Sequence, residues 1–521
     1  MHTFELLLIL IGTSLALAWL AQRLKVPLAV ALVCGGIALA FVPGLGRVEL
    51  DPELALALFL PPLLQASAYR TDWPQFRFNL RPILLLALGL VFVTAVAVAV
   101  VAKLLVPSLP WWAAVALGAI VAPPDAVAAA AVLKQVKLPK RIVTVLEGES
   151  LINDASSLVL YRFAVGATLA GSFSIGSGLL QFVASAAGGI VAGWIVARLA
   201  MWVFRLLDDT LLDITASLLA GFFAYMAAEQ VHASGVLAAV TCGLILGRHQ
   251  HAEFTGESRL GLAAVWSFVE FILTALVFTL IGLQLRPIVE RLEGYDATRL
   301  ALLGTAVAAT LIVSRFLWIF PATWLPRKLV PGLAERDPMP PISHMTILSW
   351  AGMRGVVSLA AALALPVKFP GRDIIIFLAF CAIFATLVLQ GTTLGWLIRK
   401  LDLKDDEDAG PELAKVRAEM ASAQLDAVRQ HADEQVPDEH ADAAAEVVDE
   451  LETQAARIGD GAGSADQLEA QGRLRLVAVE AARAKLQERT DDLDADAHRS
   501  LGEELDLQEQ QVRRSLGETG D

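Results

Sequence analysis

The chain has 521 residues, 56% of them hydrophobic and only 18% charged, a balance that excludes an ordinary soluble enzyme and points to a membrane. Its net charge of −13 is localised: residues 405–521 hold 31 acidic against 12 basic side chains, leaving 29 basic against 23 acidic before them. An acidic tail repels nucleic acid, which excludes DNA or RNA as a partner, and Cys34, Cys242 and Cys381 lie in apolar runs without CxxC spacing, as small packed hydrophobes.

A helix needs about 20 apolar residues to cross a bilayer core, and the sequence predicts an all-α membrane protein with thirteen such stretches. They run 4–21, 27–43, 53–69, 82–105, 111–132, 142–169, 179–203, 211–230, 233–247, 262–285, 299–325, 342–367 and 373–398. The first is expected to stay as a helix and not to be cleaved, because Glu5 precedes its apolar run and Arg23 and Lys25 follow it. Placing Arg23 and Lys25 in the cytoplasm puts Arg70, Arg81, Arg141, Arg198, Arg327 and Lys400 there too and leaves few basic residues opposite, among them Arg47 and Arg372. That asymmetry predicts an external N-terminus and a cytoplasmic tail.

A charge near the bilayer centre costs about 2.5 to 3.5 kcal/mol on insertion scales, so each one must be neutralised, paired or useful. Asp125 falls in the fifth stretch, Glu149, Asp154 and Arg162 in the sixth, Glu229 in the eighth, Glu270 in the tenth, Arg315 in the eleventh and Arg354 in the twelfth. The fifth stretch contains Pro123 and Pro124 just before Asp125, which remove backbone donors and predict a broken helix. In the twelfth, Gly352 and Gly355 bracket Arg354 and predict a second break. Seven spans separate the two breaks, the offset expected of six-helix repeats related by inversion, and paired interruptions of this kind point to a transporter's midplane site.

The sixth stretch carries the densest chemistry. Asp154 lies about 18 Å along it from Ile142, close to mid-membrane. Ser150 and Asp154 share one helix face, as do Glu149 and Asn153, so carboxylate, hydroxyl and amide oxygens converge where a hard monovalent cation could bind. An ion pair of Asp154 with Arg162 or Arg354 is the structural alternative. In the tail, 411–436 and 465–505 read as helices, and Gly459–Ser464 as a joint. The expected division is therefore 1–404, a transmembrane domain, and 405–521, an acidic and partly helical cytoplasmic tail.

The segments EGESLINDA at Glu147–Ala155, PPDAVA at Pro123–Ala128, FLPPLL at Phe59–Leu64, FTLIGLQL at Phe278–Leu285 and GMRGVVSLAAALALP at Gly352–Pro366 resemble the monovalent cation/proton antiporters of the CPA-1 family. The resemblance covers essentially residues 1–400. It implies a homodimeric secondary transporter of the cell (inner) membrane, not an enzyme, serving pH homeostasis without a cofactor, with membrane lipid, protons and Na+ (or K+ or Li+) as its partners. Asp154 would carry cation and proton in turn, with Na+ also held by Glu149 and Ser150 and by a backbone carbonyl near Pro124. Asp125 would stand alongside, and Arg354 would be a structural counter-charge. This chain departs from the family pattern at Pro124-Asp125-Ala126, where Thr-Asp-Pro is common, and at Gln65 and Ala66, where many relatives carry a glutamate that meets the arginine.

A site that must be neutralised before it crosses would couple the two ions by competition. The pair Asn153-Asp154 resembles that of the electroneutral exchangers, which implies one cation per proton. A potassium/proton antiporter is the near alternative, because oxygen ligands alone do not set cavity size. An intramembrane aspartyl protease is disfavoured for want of a Gly-x-Gly-Asp element, and a cation channel for want of a filter-like segment.

Overall fold

A computed structural model describes residues 3–42, 52–125, 129, 138–170, 175–207, 209–292, 296–401, 403, 409–435, 445–453, 465–488 and 495–516. Among these residues the protein is helical throughout and contains no strand. It divides into two compact units, Met1–Asp405 and Asp406–Asp521.

In the first unit the principal helices are α1 (Thr3–Leu24), α2 (Leu28–Ala40), α3 (Pro52–Arg70), α4 (Leu80–Leu105), α5 (Trp111–Val121), α6 (Lys140–Ala170) and α7 (Ile175–Phe204). They continue with α8 (Thr210–Gln230), α9 (Gly235–Glu253), α10 (Gly256–Leu283), α11 (Ala297–Leu329), α12 (Ile342–Trp350), α13 (Val356–Leu363) and α14 (Arg372–Lys400). Six stretches among the described residues are long and apolar enough to cross a membrane: α4, α8, α11, α14, the part of α7 from Leu180, and α10 continued to Glu290. Each of these fourteen helices falls on an expected stretch, α12 and α13 sharing the twelfth, while the short helices Trp73–Phe78 and Leu333–Arg336 fall between stretches. The second half of the fifth lies largely outside the described residues.

Leu15, Phe92, Leu180, Leu211 and Leu317 all project outward, the arrangement expected of helices facing lipid. The interior combines buried Leu and Ile with many alanines. On α5, Ala113, Ala114, Ala116, Leu117 and Ala119 are wholly buried, so this helix is apolar all round because protein surrounds it. Close approach is carried by glycine where α2 crosses α10: a Cβ on Gly36 would fall 2.3 Å from the Thr279 carbonyl oxygen, and one on Gly282 the same distance from that of Val33. Such small-residue crossings are how membrane helices gain van der Waals contact without a hydrophobic drive.

Both expected breaks form. Helix α5 ends at Val121, ahead of Pro123 and Pro124, and the non-helical Ala351–Gly355 separates α12 from α13. A third irregularity is a π-helical turn, Leu85–Leu90, within α4. Widening the turn frees carbonyls, and two are taken up from neighbouring helices: Ser156 Oγ donates to Ala87 at 2.6 Å and Trp318 Nε1 to Leu85 at 3.0 Å.

Four helices share a terminal device. Arg23 lies over Trp19 on α1, Arg198 over Trp194 on α7, Lys328 over Trp324 on α11 and Lys400 over Trp396 on α14, each cation four residues after its indole. A Trp-to-cation step at a helix end suits the boundary between hydrocarbon and headgroups.

In the second unit the main helices are α15 (Ala409–Gln435), α16 (Ala465–Glu488) and α17 (Ala495–Ser515). The expected helical region 465–505 holds α16 and the start of α17, which pack together and are tied by Arg483 to Glu509 at 2.5 Å and to Asp506.

Candidate cation site

The two breaks lie against each other. The Asp125 N–H donates to the Met353 carbonyl at 2.7 Å, joining the two interruptions through their backbones. Arg354, 1% exposed, reaches back across this junction. Its Nε donates to the Val121 carbonyl at 2.9 Å, its Nη2 to that of Ala122 at 3.3 Å, and its Nη1 to Gly352. One guanidinium therefore caps the C-terminal end of α5, where the free carbonyls and the helix dipole are both negative. The arginine's own N–H donates to Thr386 Oγ1 on α14. Gln65 takes no part: its Nε2 turns to the Ser217 carbonyl on α8 at 2.8 Å.

Asp125 sits at the other end of this exchange. A Cβ on Gly355, the residue preceding α13, would fall 1.5 Å from Asp125 Oδ2, so the carboxylate occupies the space a side chain would need at the N-terminus of α13. A carboxylate there complements the positive end of the half-helix.

Helix α6 passes beside both breaks. Asn153, fully buried, donates its Nδ2 to the Pro124 carbonyl at 3.1 Å, and Ser150 Oγ stands 3.5 Å from the same oxygen. Glu149, also fully buried, is held by Arg315 of α11 in a two-pronged ion pair, 2.6 and 2.7 Å, while Arg315 Nε donates to the Leu348 carbonyl. The family resemblance implies a cation contact for Glu149 and gives Arg315 no role. Here both glutamate oxygens are engaged, because a fully buried guanidinium demands a carboxylate more strongly than a cation shared with other oxygens does.

Asp154 differs from Glu149, Arg162, Glu229, Glu270, Arg315 and Arg354, all of which are engaged. It is 6% exposed, and among the described residues its carboxylate makes no ion pair and accepts no hydrogen bond. Both arginines offered as alternatives are used elsewhere, Arg354 on carbonyls and Arg162 on Glu229 at 3.0 Å. Glu270 likewise meets Arg70. Asp154, Asp125 and Ser150 line a cavity of about 50 Å³ together with Leu64 and Ser67 of α3, Thr274 and Phe278 of α10, and Ser358 of α13. That volume exceeds the roughly 10–15 Å³ a single water requires. Asp125 is close enough for the two carboxylates to repel each other when both are ionised, so a positive charge between them is favoured. Thr274, Ser358 and the tenth helix's part in the cavity were not singled out from sequence, since a lone hydroxyl in an apolar helix carries no signal.

The description "Sodium/hydrogen exchanger, transmembrane" matches residues 9–400, more than half of the chain. The chain belongs to the sodium/hydrogen exchanger family. Among relatives of this exchanger is an uncharacterised Na+/H+ exchanger of Mycobacterium tuberculosis, 36% identical over 425 residues, spanning 80% of this chain and 78% of its own. A sodium, potassium, lithium and rubidium/H+ antiporter of Bacillus pumilus is 33% identical over 81% of this chain and 65% of its own. The sodium proton antiporter MjNhaP1 of Methanocaldococcus jannaschii shares the fold, with a TM-score of 0.58 at 21% identity over 77% of this chain and 99% of its own.

Proposed function

We propose that the exchanger swaps one monovalent cation, Na+ foremost, for one proton by alternating access at Asp154. The observation that carries this reading is the state of that carboxylate: buried, without a partner among the described residues, and on a cavity lined by further oxygens. An anion so placed is costly until a proton or a cation neutralises it. The two neutralised forms compete, and only they cross. Asp125 and Ser150 supply further oxygens, and Asn153 holds the Pro124 carbonyl in register. Glu149 neutralises Arg315 in the state described, and Arg354 stabilises the crossing.

Along α3 the cavity follows Leu60, Leu64 and Ser67, about 10 Å toward the end bearing Arg70, which the charge pattern assigns to the cytoplasm. This favours an inward-facing state. The four Trp-to-cation steps end α1, α7, α11 and α14, helices that run in the same direction if spans alternate, which supports an external N-terminus and a cytoplasmic tail. Homodimerisation, inverted repeats and residence in the inner membrane follow from the resemblance to the CPA-1 antiporters. Potassium is the second reading, favoured by the breadth of cations in the name of the Bacillus pumilus relative.

The test is exchange in acid-loaded liposomes containing a pH dye, with Na+, K+ or Li+ added outside. The wild type should release protons and Asp154→Asn should not; normal exchange by the variant would overturn the assignment. A steady-state gradient that shifts with membrane potential would refute the one-to-one stoichiometry.

A further inference from the structure

The oxygens anticipated for the cation are partly spoken for. Both oxygens of Glu149 face Arg315, and the Pro124 carbonyl already accepts from Asn153, with Ser150 Oγ near it. That leaves the Ser150 oxygen and the second lone pair of the Pro124 carbonyl as neutral ligands, fewer than an ion that gives up its water needs.

Two residues lining the same cavity carry hydroxyls that lack partners among the described residues. Thr274 of α10 is 6% exposed and Ser358 of α13 is 1% exposed, and among the described residues neither hydroxyl oxygen has a hydrogen-bond partner. This is unusual for helical Thr and Ser, which ordinarily bond back to a carbonyl one turn earlier, as Thr279 does to Ala275 and Thr386 to Ala382 in this chain. A buried hydroxyl left unmade carries a desolvation cost and calls for an explanation. Both residues line the cavity of Asp154, from helices that face α6 across it.

We infer that Thr274 and Ser358 complete the cation's coordination, their hydroxyl oxygens replacing water lost on entry and setting which monovalent ion fits. This rests on the reading of Asp154 as carrier. Neutral oxygens from two further helices add ligands without adding charge, so they tune cation affinity while leaving the proton on Asp154 alone. The proton limb of the cycle should therefore be indifferent to both.

The experiment measures apparent KM and maximal rate for Na+, Li+ and K+ in proteoliposomes carrying Thr274→Val, Ser358→Ala, Thr274→Ser or Asp154→Asn. Each hydroxyl deletion is expected to raise KM for the preferred cation by about three- to tenfold, with maximal rate little changed and the order of cations altered. Thr274→Ser keeps the hydroxyl and should behave as wild type. Unchanged KM in both deletions, with Asp154→Asn inactive, would overturn this inference and leave the carrier reading standing; an active Asp154→Asn would overturn both. An increase of KM in Thr274→Ser equal to that in Thr274→Val would also refute coordination, since it would mark the methyl-bearing side chain as packing. Should Thr274→Val not fold, Ser358→Ala decides by the same criteria, read also as loss of Na+-dependent thermal stabilisation of the purified protein.

Discussion

Removing Arg315 or Glu149 separately should be far worse than removing both. The pair is 1% and 0% exposed with two short bonds, so solvent does not soften the loss, and breaking a buried pair of this kind costs about 3 to 5 kcal/mol. The two losses are unequal. In Arg315→Met the abandoned Glu149 can take up a proton, whereas in Glu149→Gln the abandoned guanidinium cannot shed one, so Glu149→Gln should be the more damaging. The double variant Glu149→Gln/Arg315→Met leaves neither partner of the pair bare and should recover to within about 1 to 2 kcal/mol of wild type, a coupling well outside ordinary additivity. Denaturant titration of the detergent-solubilised protein measures the cycle, and exchange in proteoliposomes gives its second readout. Singles costing under about 1 kcal/mol, or a double as unstable as their sum, would refute the structural role. A double variant that folds yet no longer exchanges would refute the view that Glu149 serves Arg315 instead of the cation.

Gly355→Ala should reduce exchange by at least about tenfold with helix content unchanged by circular dichroism, because its Cβ would meet Asp125 Oδ2 at 1.5 Å; exchange at the wild-type rate would show that Asp125 needs no such seat. Arg354→Lys should abolish exchange, because a point charge cannot span the Val121, Ala122 and Gly352 carbonyls as the planar fork does, and retained activity would show that charge alone suffices. Asp337, in the connector before α12, is held by Arg81, Arg141 and Arg327. Burial alone would raise its carboxyl, but the bonds and charges of Arg141 and Arg327 outweigh this and keep it below the ordinary range. A depressed carboxyl contributes stability above the unfolded value near 3.9, and the contribution disappears as pH falls through the lower folded value. Asp337→Asn should thus cost about 2 kcal/mol at neutral pH in thermal unfolding, a deficit that shrinks below about pH 4; a pH-independent deficit would contradict this.

The fold was largely legible in the sequence because a bilayer imposes a length on every crossing and punishes each charge and each proline within it. Asp125, Asp154 and Arg354 stood out for that reason, and both breaks lie where Pro123, Pro124 and the glycines around Arg354 put them. Partnership was not legible. Helical spacing shows that Glu149 and Asn153 share a face, but not that Arg315, 166 residues away, arrives at one of them and the Pro124 carbonyl at the other. The π-turn in α4 was equally hidden, since Leu85–Leu90 is uniformly apolar and only Ser156 and Trp318, from other helices, account for its freed carbonyls. Thr274 and Ser358 were invisible because what distinguishes them is a missing bond.

The manner in which Arg354 is held also bears on how this site can evolve. Its acceptors on α5 are main-chain oxygens, which every amino acid supplies alike. A change at position 121 or 122 cannot offer the arginine a better or worse partner, and no compensating replacement can follow a loss of the arginine. Across homologous sequences such a residue would stand fixed and without correlated companions, whereas positions 149 and 315, joined through side chains, are free to change together. Co-variation would therefore trace the ion pair and pass over the contact that knots the two broken helices.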